Sequence, residues 1–520
     1  MNWAEEVARD LIAKHPKLEL FTVASGISPS GYIHIGNFRE IVTTYFVAHE
    51  LEKLGKKVRF IVSIDNYDRF RKVPIGMPSS LEECIGRPYT DIPSPFGTDK
   101  SYAMEMQDIF ISELNSMGIT PEYIFQTDEY KSGRYIKEIK IAMSKRKKIF
   151  DILAKYKTQE FTDSDRDNYY PISVYCESCG KDSTRITDYR ENGLLSYACS
   201  CGRECHTSID EARNIKLAWK IDWPMRWMVE NVVFEPGGRD HSAANGSYVI
   251  GKEIAKEIYD YTAPDYVAYD FIGIKGGHGK MSSSNGTVLT LGDLLKVYDK
   301  YLILWFYAKY KPSAQFDIAL DNDVIRYYSE FDRFVKGYFE DQLDEKNHSI
   351  ISITGVSKDY LTNPSFNYLA TFLPMVNYNE ELLKNLLRKE NIDCDNLNFN
   401  VRLNLAKHWI ENYGSDYQVK LLSEPNKEFY DNLSDLEKKW IKMTIDILSS
   451  DYSASDDLQT ALYAVVKGDV ENPEELKQVQ KKYFQTLYNL LLGLDKGPKL
   501  GLLLLALPKK ELIRMLDFKK

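Results

Sequence analysis

The first third of the chain alternates short apolar, β-branched runs with segments of helical periodicity, and this alternation limits the possible folds more than any other feature. Leu20–Ala24 and Val58–Ile64 are the first two strand-like runs, and apolar residues recur at helical spacing between Asn37 and Leu54. Strands separated by helices favour a parallel sheet with helical crossovers. The sequence therefore predicts an α/β fold for this region, a Rossmann-like, doubly wound parallel sheet.

The alternation does not extend over the whole chain. Residues 158–212 replace it with polar turns and a cysteine cluster, so we interpret them as an insertion. Strand-like and helix-like segments resume after it, at Val232–Phe234, Ser247–Tyr259 and Tyr266–Ile272. Leucine-rich helical periodicity dominates the second half, and 520 residues are too many for one core. We therefore predict an α/β domain over residues 1–320 and an all-α domain over residues 321–520.

Composition and charge exclude some classes of protein. A net charge of −9 argues against a surface devoted wholly to nucleic acid, although a local basic face is compatible with it. The most concentrated basic run, Ser144–Lys148, is more typical of a solvated helix face. No signal-like segment opens the chain, and the longest apolar run, Leu502–Leu507, is too short to cross a bilayer. We therefore expect a cytoplasmic protein without a membrane partner.

Phosphate binding is indicated first by the segment Ser28–Asn37, which joins the first strand to the first long helix. Its Pro/Gly turn leads to a helix opening that contains His34 and Gly36. Backbone N–H groups at a helix start are unpaired and partly positive, so phosphate binds well there. Gly36 permits close approach, and His34 can donate to a phosphate oxygen. Taken alone, a His-x-Gly motif is more typical of an ordinary helix start.

A second phosphate-binding candidate is the glycine-rich loop Gly276–Gly286, which follows the last predicted strand of the sheet. Ligands bind at such strand ends in open α/β folds. The loop contains one lysine, Lys280, and three consecutive serines. It can close over a triphosphate, with Lys280 neutralising the charge that builds on a departing pyrophosphate. Taken alone, a solvated loop is an equally good interpretation.

The cysteines indicate a metal site within the insertion. Cys176 and Cys179 form one close pair, Cys199 and Cys201 form another, and a glycine follows each pair. Four thiolates at this spacing suit tetrahedral zinc, and in a reducing compartment such clustering favours a metal over disulfides. Cys205 and His206 are alternatives for the fourth ligand. The prediction is a structural Zn²⁺ ion that braces the insertion.

The two phosphate-binding segments together resemble the paired signatures of class I aminoacyl-tRNA synthetases. Four further stretches narrow the resemblance to class I lysyl-tRNA synthetases, the archaeal-type family: Ala24–Gly31, Asp65–Pro74, Trp219–Trp227 and Phe234–His241. The stretch Tyr488–Gly501 is also similar to the helical domain of that family. Asn37 stands where the superfamily often has a second histidine, and the loop lacks a second lysine. Both departures resemble the lysyl family's own version.

The resemblance implies an ATP-dependent lysine–tRNA ligase that uses ATP, Mg²⁺, L-lysine and tRNA(Lys). It implies that residues 1–320 are catalytic and that residues 321–520 bind the anticodon. It assigns ATP binding to both signatures, namely Pro29, Gly31, His34, Gly36, Asn37, Lys280, Met281, Ser282, Ser283 and Ser284. Catalysis is assigned to five of these residues, namely His34, Asn37, Lys280, Ser282 and Ser283. Any second cation must come from elsewhere, and Lys275 is nearby.

The residues between the signatures favour lysine as the substrate. Enzymes for glutamate resemble a version with an arginine just after the first strand, whereas this chain has Ala24-Ser25-Gly26 there. An ammonium group is stabilised by carboxylates and aromatic rings. We therefore expect a substrate pocket that includes Gly26, Ser28, Asp65, Trp219, Asp240, His241 and Tyr269. For any single residue of this set, a role in a turn or in the core is about as good an interpretation.

Two other interpretations stay open. A ligase of the same superfamily that charges tRNA with glutamate would contain the same signatures, and the amino acid that supports pyrophosphate exchange distinguishes it. A non-catalytic RNA-binding protein with a zinc ribbon would bind tRNA without any exchange. The second interpretation is disfavoured because both phosphate-binding segments retain their charged or donor residues.

Overall fold

The structure is a computed structural model that describes residues 1–276, 288–389, 392–417, 420–452, 454–467, 472–497 and 499–518. The chain folds into two compact units. Unit 1 contains Met1–Leu295, Lys300–Ile318 and Leu343–Gly355, and unit 2 contains Lys296–Asp299, Ala319–Gln342 and Val356–Lys520.

All the described strands belong to unit 1. In chain order they are β1 (Leu20–Ile27), β2 (Lys57–Ile64), β3 (Glu122–Phe125), β4 (Ile172–Val174), β5 (Thr184–Tyr189), β6 (Leu194–Cys199), β7 (Glu204–Ser208), β8 (Ile215–Leu217), β9 (Val232–Phe234), β10 (Gly237–Gly238), β11 (Ala268–Tyr269), β12 (Ile272–Ile274) and β13 (Phe316–Ile318). The main sheet has the order β3-β2-β1-β9, and each of its neighbouring pairs is parallel.

The parallel arrangement brings the carboxyl ends of four strands to one edge of the main sheet. Gly26 pairs with Ser63, and Ile64 pairs with Phe125. The central strand β1 is buried over most of its length, as expected for a parallel strand that is covered on both faces. Since β2 and β9 flank β1 on opposite sides, the strand order reverses beside β1. Ligands bind at such a point in open α/β sheets.

Eleven described helices precede residue 318. They are α1 (Trp3–Lys14), α2 (Ile35–Lys53), α3 (Tyr102–Met117), α4 (Gln126–Ser132), α5 (Ile136–Ser144), α6 (Arg146–Ala154), α7 (Asp163–Asp167), α8 (Trp219–Glu230), α9 (Ser247–Tyr259), α10 (Leu291–Leu295) and α11 (Lys300–Lys309). Helix α2 begins where His34 caps its first turn, and Gly55 follows its end with a φ of 80°. Most of α2 is buried, because the helix packs on β1 and β2 and under α1.

The insertion is a small antiparallel structure. Strands β4 and β8 pair with each other near the two ends of the insertion, and β5, β6 and β7 form a three-stranded sheet. Leu195 and Tyr197 of β6 face a core that also contains Cys176 and Cys199. The cysteine cluster therefore lies at the edge of a packed core.

Unit 2 is helical throughout its described residues. The later helices of the chain are α12 (Asp323–Phe339), α13 (Glu345–Ser352), α14 (Phe366–Met375), α15 (Glu380–Lys389), α16 (Leu397–Asn412), α17 (Lys427–Asp431), α18 (Asp435–Ser449), α19 (Ser455–Lys467), α20 (Pro473–Leu492), α21 (Leu500–Ala506) and α22 (Lys509–Leu516). Of these, α13 belongs to unit 1. Among the described helices, none is both long enough and apolar enough to span a membrane.

The predicted fold class is confirmed, with a Rossmann-like parallel sheet, an insertion that holds four clustered cysteines, and a helical C-terminal region. One predicted strand, Tyr266–Ile272, is wrong. Its residues are divided between β11, which pairs with β10, and β12, which pairs with β13. The break lies at Asp270, where the backbone N–H bonds to Pro312 and the side chain accepts from Phe271 N–H and Gln315.

Candidate active site

The start of α2 is closed by a reciprocal cap. His34 Nδ1 accepts hydrogen bonds from Gly36 N–H (3.1 Å) and Asn37 N–H (3.3 Å), and Asn37 Oδ1 accepts from His34 N–H (3.3 Å). A Cβ at position 36 would lie 2.9 Å from the imidazole, so only glycine fits under the ring. Since Nδ1 is an acceptor, the neutral ring carries its proton on Nε2. The cap therefore fixes the tautomer in which Nε2 is the donor.

The first amides of α2 are not open to a ligand in this structure. Ile35 N–H donates to Leu289 O (3.0 Å), and the next two amides donate to His34. These amides therefore have acceptors within the chain, and phosphate binding at this helix start stays a prediction. The donor that the local structure presents is the imidazole of His34.

The second signature lies outside the described residues, because positions 277–287 contain Lys280, Met281, Ser282, Ser283 and Ser284. The residues on either side are described. Gly276 follows β12, and beyond the gap Thr290 forms an antiparallel bridge with His34. Leu289 accepts the amide of Ile35. The chain therefore returns directly to the first signature where the second one ends.

The turn between β1 and α2 is held by burial and by a hydrogen bond from Tyr102. Pro29 and Gly31 are buried, Ser28 is half-buried, and the hydroxyl of Tyr102 donates to Ser30 O (3.1 Å). Gly26, at the end of β1, faces open space, since a Cβ there would meet nothing within 4 Å. The edge of the sheet therefore has room for a ligand beside Gly26.

A carboxylate that the sequence analysis missed stands next to that space. Glu40 Oε1 accepts Gly26 N–H (2.8 Å), and Glu40 Oε2 accepts the hydroxyl of Tyr269 (2.6 Å). Burial raises the pKa of Glu40 to about 8, and the negative charges of Glu235 and Asp65 add to that effect. Its neighbour Arg39 donates to the carbonyls of Asp270, Lys311 and Ala314 instead. Within the described ranges, no cation pairs with Glu40.

Asp65, in contrast, already has a cation. Arg226 Nη1 lies 2.5 Å from Asp65 Oδ1, and its other nitrogen donates to the fully buried Asp222. Lys216 joins Asp222 (3.3 Å) to Asp68 (2.8 Å). Burial raises the pKa of Asp65 to about 6, although Arg226 opposes the rise. Asp65 therefore belongs to a charge-paired network at the sheet edge and is a weaker candidate for a substrate ammonium than Glu40.

Three tryptophans form a ladder along α8. Trp219 and Trp223 stack with centroids 5.2 Å apart, and Trp223 contacts Trp227 at 4.9 Å. Trp227 Nε1 donates to the buried Glu235 (2.7 Å), whose pKa burial raises to about 7. A cavity of about 30 Å³ between this ladder and Gly26 has room for about one water molecule. Trp219 and Gly26 both line it, and the role of Trp219 as a substrate residue stays a prediction.

The remaining predicted substrate residues lie on the adjacent segments. Tyr269 is on β11, which pairs with β10, and Asp240 and His241 follow β10 in a short 3-10 turn. His241 is 5.5 Å from Trp223, centroid to centroid, whereas Asp240 is exposed. The structure thus brings together Gly26 and Tyr269 around Glu40, and His241 near the tryptophan ladder.

The cysteine cluster has the dimensions of a metal site. The Sγ atoms of Cys176, Cys179, Cys199 and Cys201 all lie within 4.8 Å of one another. Two of the distances are 3.8 Å (Cys176–Cys201) and 3.7 Å (Cys179–Cys199). A tetrahedron with Zn–S bonds of about 2.3 Å has edges of about 3.8 Å, so the cluster fits a Zn²⁺ ion.

The two rival ligands have other partners. Cys205 Sγ donates to Glu177 (3.4 Å), and His206 Nδ1 is hydrogen-bonded to Ser196 Oγ (2.7 Å).

Comparisons with known proteins agree with this picture. The sequence model of the family described as "tRNA synthetases class I (K)" matches residues 1–357. The chain is 35% identical to the lysine–tRNA ligase of Pyrococcus furiosus, over 99% of both chains. It is 35% identical to that of Borreliella burgdorferi over 96% of both chains, and 33% identical to that of Methanocaldococcus jannaschii over 99% of both chains.

Proposed function

This chain belongs to the class I lysyl-tRNA synthetase family, and from that membership we infer that it is a lysine–tRNA ligase, which activates lysine with ATP and transfers it to tRNA(Lys). The observation that carries the assignment to this site is the return of the chain to His34 after residue 287. It supports a single ATP site made from both signatures.

In the first step the α-carboxylate oxygen of lysine bonds to the α-phosphorus of ATP, and the bond from that phosphorus to pyrophosphate breaks. The nucleophile belongs to the substrate, so the enzyme needs no nucleophilic side chain. Catalysis then rests on positioning and on stabilising the charge that passes to pyrophosphate. We propose that His34 Nε2–H donates to an ATP phosphate and that Lys280 neutralises the pyrophosphate.

The other signature residues shape this site. Pro29 and Gly31 form the turn that opens toward the nucleotide, and Gly36 leaves space for the His34 ring. Asn37 fixes the His34 backbone through the reciprocal cap. We propose that Met281, Ser282, Ser283 and Ser284 complete the phosphate contacts with Lys280. Mg²⁺ would arrive on the ATP phosphates and supply further charge neutralisation there.

Glu40 and Tyr269 are our proposed ligands for the ε-ammonium group of lysine. A half-buried carboxylate with two neutral donors and no paired cation in the described structure favours a cationic ligand. Binding of the ammonium would lower the pKa of Glu40 and restore its charged form. Trp219 supplies an apolar wall for the methylene chain, and Gly26 has no side chain that would obstruct it.

Unit 2 contains a surface suited to the anticodon. A groove of about 1490 Å³ is lined by Lys420, Lys477, Lys481 and Lys496 together with Tyr463, Phe484 and Tyr488. Tyr463 is exposed, Phe484 is half-buried and Tyr488 is buried. Lysines that track a backbone, combined with an accessible ring on which a base stacks, are typical of single-stranded nucleic-acid binding. We propose that residues 321–520 bind the anticodon of tRNA(Lys) through this groove, and that residues 1–320 form the catalytic domain.

Two further assignments complete the proposal. Zn²⁺ held by Cys176, Cys179, Cys199 and Cys201 would brace the insertion, and with four sulfurs it would have no open position for chemistry. We place the enzyme in the cytoplasm, where tRNA is charged.

The test is ATP–pyrophosphate exchange across the amino acids, with tRNA present, for the wild type and Lys280→Ala. We expect lysine and not glutamate to support exchange. Loss of the loop lysine should lower the rate on the order of 10²- to 10³-fold, because a leaving-group charge loses its partner. Lys57→Ala is the matched control. Lys57 begins β2, at the end of that strand away from the site, so the variant should keep the wild-type rate.

Exchange with glutamate would contradict the substrate. A near-normal rate in Lys280→Ala would contradict the role of the loop.

A further inference from the structure

A second cavity lies on the other side of Trp219, between the end of α6 and the start of α8. It encloses about 330 Å³, a size typical of small ligand pockets. Tyr156, Lys157 and Tyr169 line one side, and Trp219 and Lys220 line the other. None of these residues except Trp219 has a role in the site described above. We call this space the Lys157–Lys220 cavity.

The charge of the cavity is unbalanced. Lys157 and Lys220 have no carboxylate within ion-pair distance among the described residues; Lys220 donates only to Asn245 O at 3.4 Å. Burial lowers the pKa of Lys220, and the positive charge of Lys157 lowers it further. The nearby lysines are paired, as Lys147 is with Asp167, and Lys148 with Glu257. Lys157 is exposed and lies over the ring of Phe161, and Lys220 is half-buried. Two cations that line one space in an acidic protein favour an anionic ligand.

The start of α8 adds donors to the same cavity. Ala218 provides no side-chain cap, and the amides of Trp219 and Lys220 have no acceptor in the part of the chain that is described. This differs from α2, whose first amides all have acceptors. Open amides at a helix start bind phosphate. The lysines and the helix start therefore present positive charge to one space.

The walls of the cavity are aromatic. Tyr156 is held by a hydrogen bond from its hydroxyl to Glu253 (2.9 Å), so its ring is fixed in place. Tyr169 and Trp219 provide two further rings. Aromatic rings beside lysines accept the bases of single strands by stacking. A ligand with both a phosphate and a base thus matches the lining better than a simple anion.

We propose that the Lys157–Lys220 cavity binds the single-stranded 3′ end of tRNA and so delivers its terminal ribose to the activated lysine. The proposal rests on the proposed function, because it names the place of the second substrate. The shared wall is the reason for choosing this occupant, since Trp219 lines both this cavity and the space beside Gly26. A nucleotide here lies beside the amino-acid site, with the Trp219 indole between them. In the transfer step the ribose oxygen bonds to the lysine carbonyl carbon as AMP departs, so the terminal ribose must extend past the edge of that ring.

The test is tRNA binding by the full-length protein, with intact lysine tRNA and with the same tRNA lacking its last three nucleotides. The variants are Lys157→Ala/Lys220→Ala and a control, Lys147→Ala/Lys148→Ala, which removes two paired lysines of α6 outside the cavity. We expect the wild type and the control to bind intact tRNA on the order of tenfold more tightly than trimmed tRNA at low salt. The cavity variant should bind both equally.

Salt dependence gives an independent result. Removing two phosphate contacts to a single strand should reduce the slope of log affinity against log salt by roughly 1.4 for intact tRNA. The slope for trimmed tRNA should not change. Lys157→Arg/Lys220→Arg, which keeps both charges, should restore the preference for intact tRNA.

The proposal is overturned if the cavity variant keeps the preference for intact tRNA, or if it loses affinity equally for both RNAs. The proposal is also overturned if the cavity variant raises the KM for ATP and changes nothing else, because the cavity would then bind ATP. A wild type that charges no tRNA with lysine would contradict the proposed function itself, and this proposal with it.

Discussion

Arg402 in unit 2 and Glu40 in unit 1 are both titratable groups that burial affects strongly, and they differ in what the chain provides around them. Arg402 is 2% exposed and donates to both oxygens of Asp332 at 2.9 Å, to Pro364 O and to the hydroxyl of Tyr360. Glu40 receives only an amide and a hydroxyl. Arg402 has carboxylate partners in the protein, whereas Glu40 has no cationic partner among the described residues.

The directions in which the two pKa values shift reflect this difference. Burial lowers the pKa of Arg402, but Tyr360, Asp332 and Asp299 outweigh burial and raise it above its usual value. Burial raises the pKa of Glu40 to about 8, and its two hydrogen bonds do not offset the rise. A buried charge with complete partners stabilises one fold, whereas a buried charge without a counter-ion favours a ligand. The comparison therefore separates a structural cluster from a binding site.

The cysteine cluster belongs with Glu40 in this comparison. Its four sulfurs converge within 4.8 Å, and the described residues place no cation among them. Both groups of unit 1 are incomplete without a positive species from outside the chain, which is a metal ion in one case and a substrate in the other.

The largest effect should come from removing the metal. We expect about one zinc ion per chain in protein purified without chelator, and a chelator should unfold the insertion, because structural zinc sites of this type contribute on the order of 10 kcal/mol to folding. Metal analysis and thermal unfolding give the result. Cys205→Ser is the matched control and should keep the metal, because Cys205 bonds to Glu177. A metal-free protein with an intact insertion would contradict this, because the cysteines would then need no positive species from outside the chain.

A smaller effect on stability is expected when the complete cluster of unit 2 is broken. Arg402→Met leaves Asp332 and Asp299 without their cation, so the free energy of unfolding should fall by about 3 kcal/mol. Arg402→Lys keeps the charge and should lose less. Denaturant titration measures the change. Lysine-dependent exchange, measured on the folded variant with saturating tRNA, should stay near the wild-type rate; a large loss of exchange would give this cluster a role in activity.

The sequence was sufficient to predict the elements that depend on local patterns. Leu20–Ala24, Val58–Ile64 and Ser247–Tyr259 are apolar runs of clear period, and each coincides with a strand or helix of unit 1. The spacing of Cys176, Cys179, Cys199 and Cys201 was enough to predict their convergence. These features depend on residues that are close in the sequence or joined by short hairpins, so the local sequence is enough to predict them.

The features that the sequence did not reveal depend on distant partners. Glu40 is one polar residue of a mostly buried helix, and its isolation becomes visible only when Tyr269 is placed beside it. The sequence predicts Asp65 as a residue of the substrate pocket, but Arg226 pairs with it from 161 residues away. The amides at the start of α2 were expected to be open, and Leu289 closes one of them. The roles of Lys280 and its neighbours stay predictions.

The central claim is that Glu40 binds the ε-ammonium group of lysine, and the most direct test combines a change in Glu40 with a change in the substrate. The kcat/KM for pyrophosphate exchange is measured with lysine and with norleucine, which lacks the ε-ammonium group, for the wild type and Glu40→Gln. If Glu40 pairs with that ammonium, the variant should lose roughly 10²-fold with lysine, about 3 kcal/mol, and little with norleucine. Its stability should not fall, because a carboxyl group with a pKa of about 8 is mostly protonated at neutral pH, and the amide is similar in shape and equally uncharged. An unchanged preference for lysine over norleucine in Glu40→Gln would contradict the account.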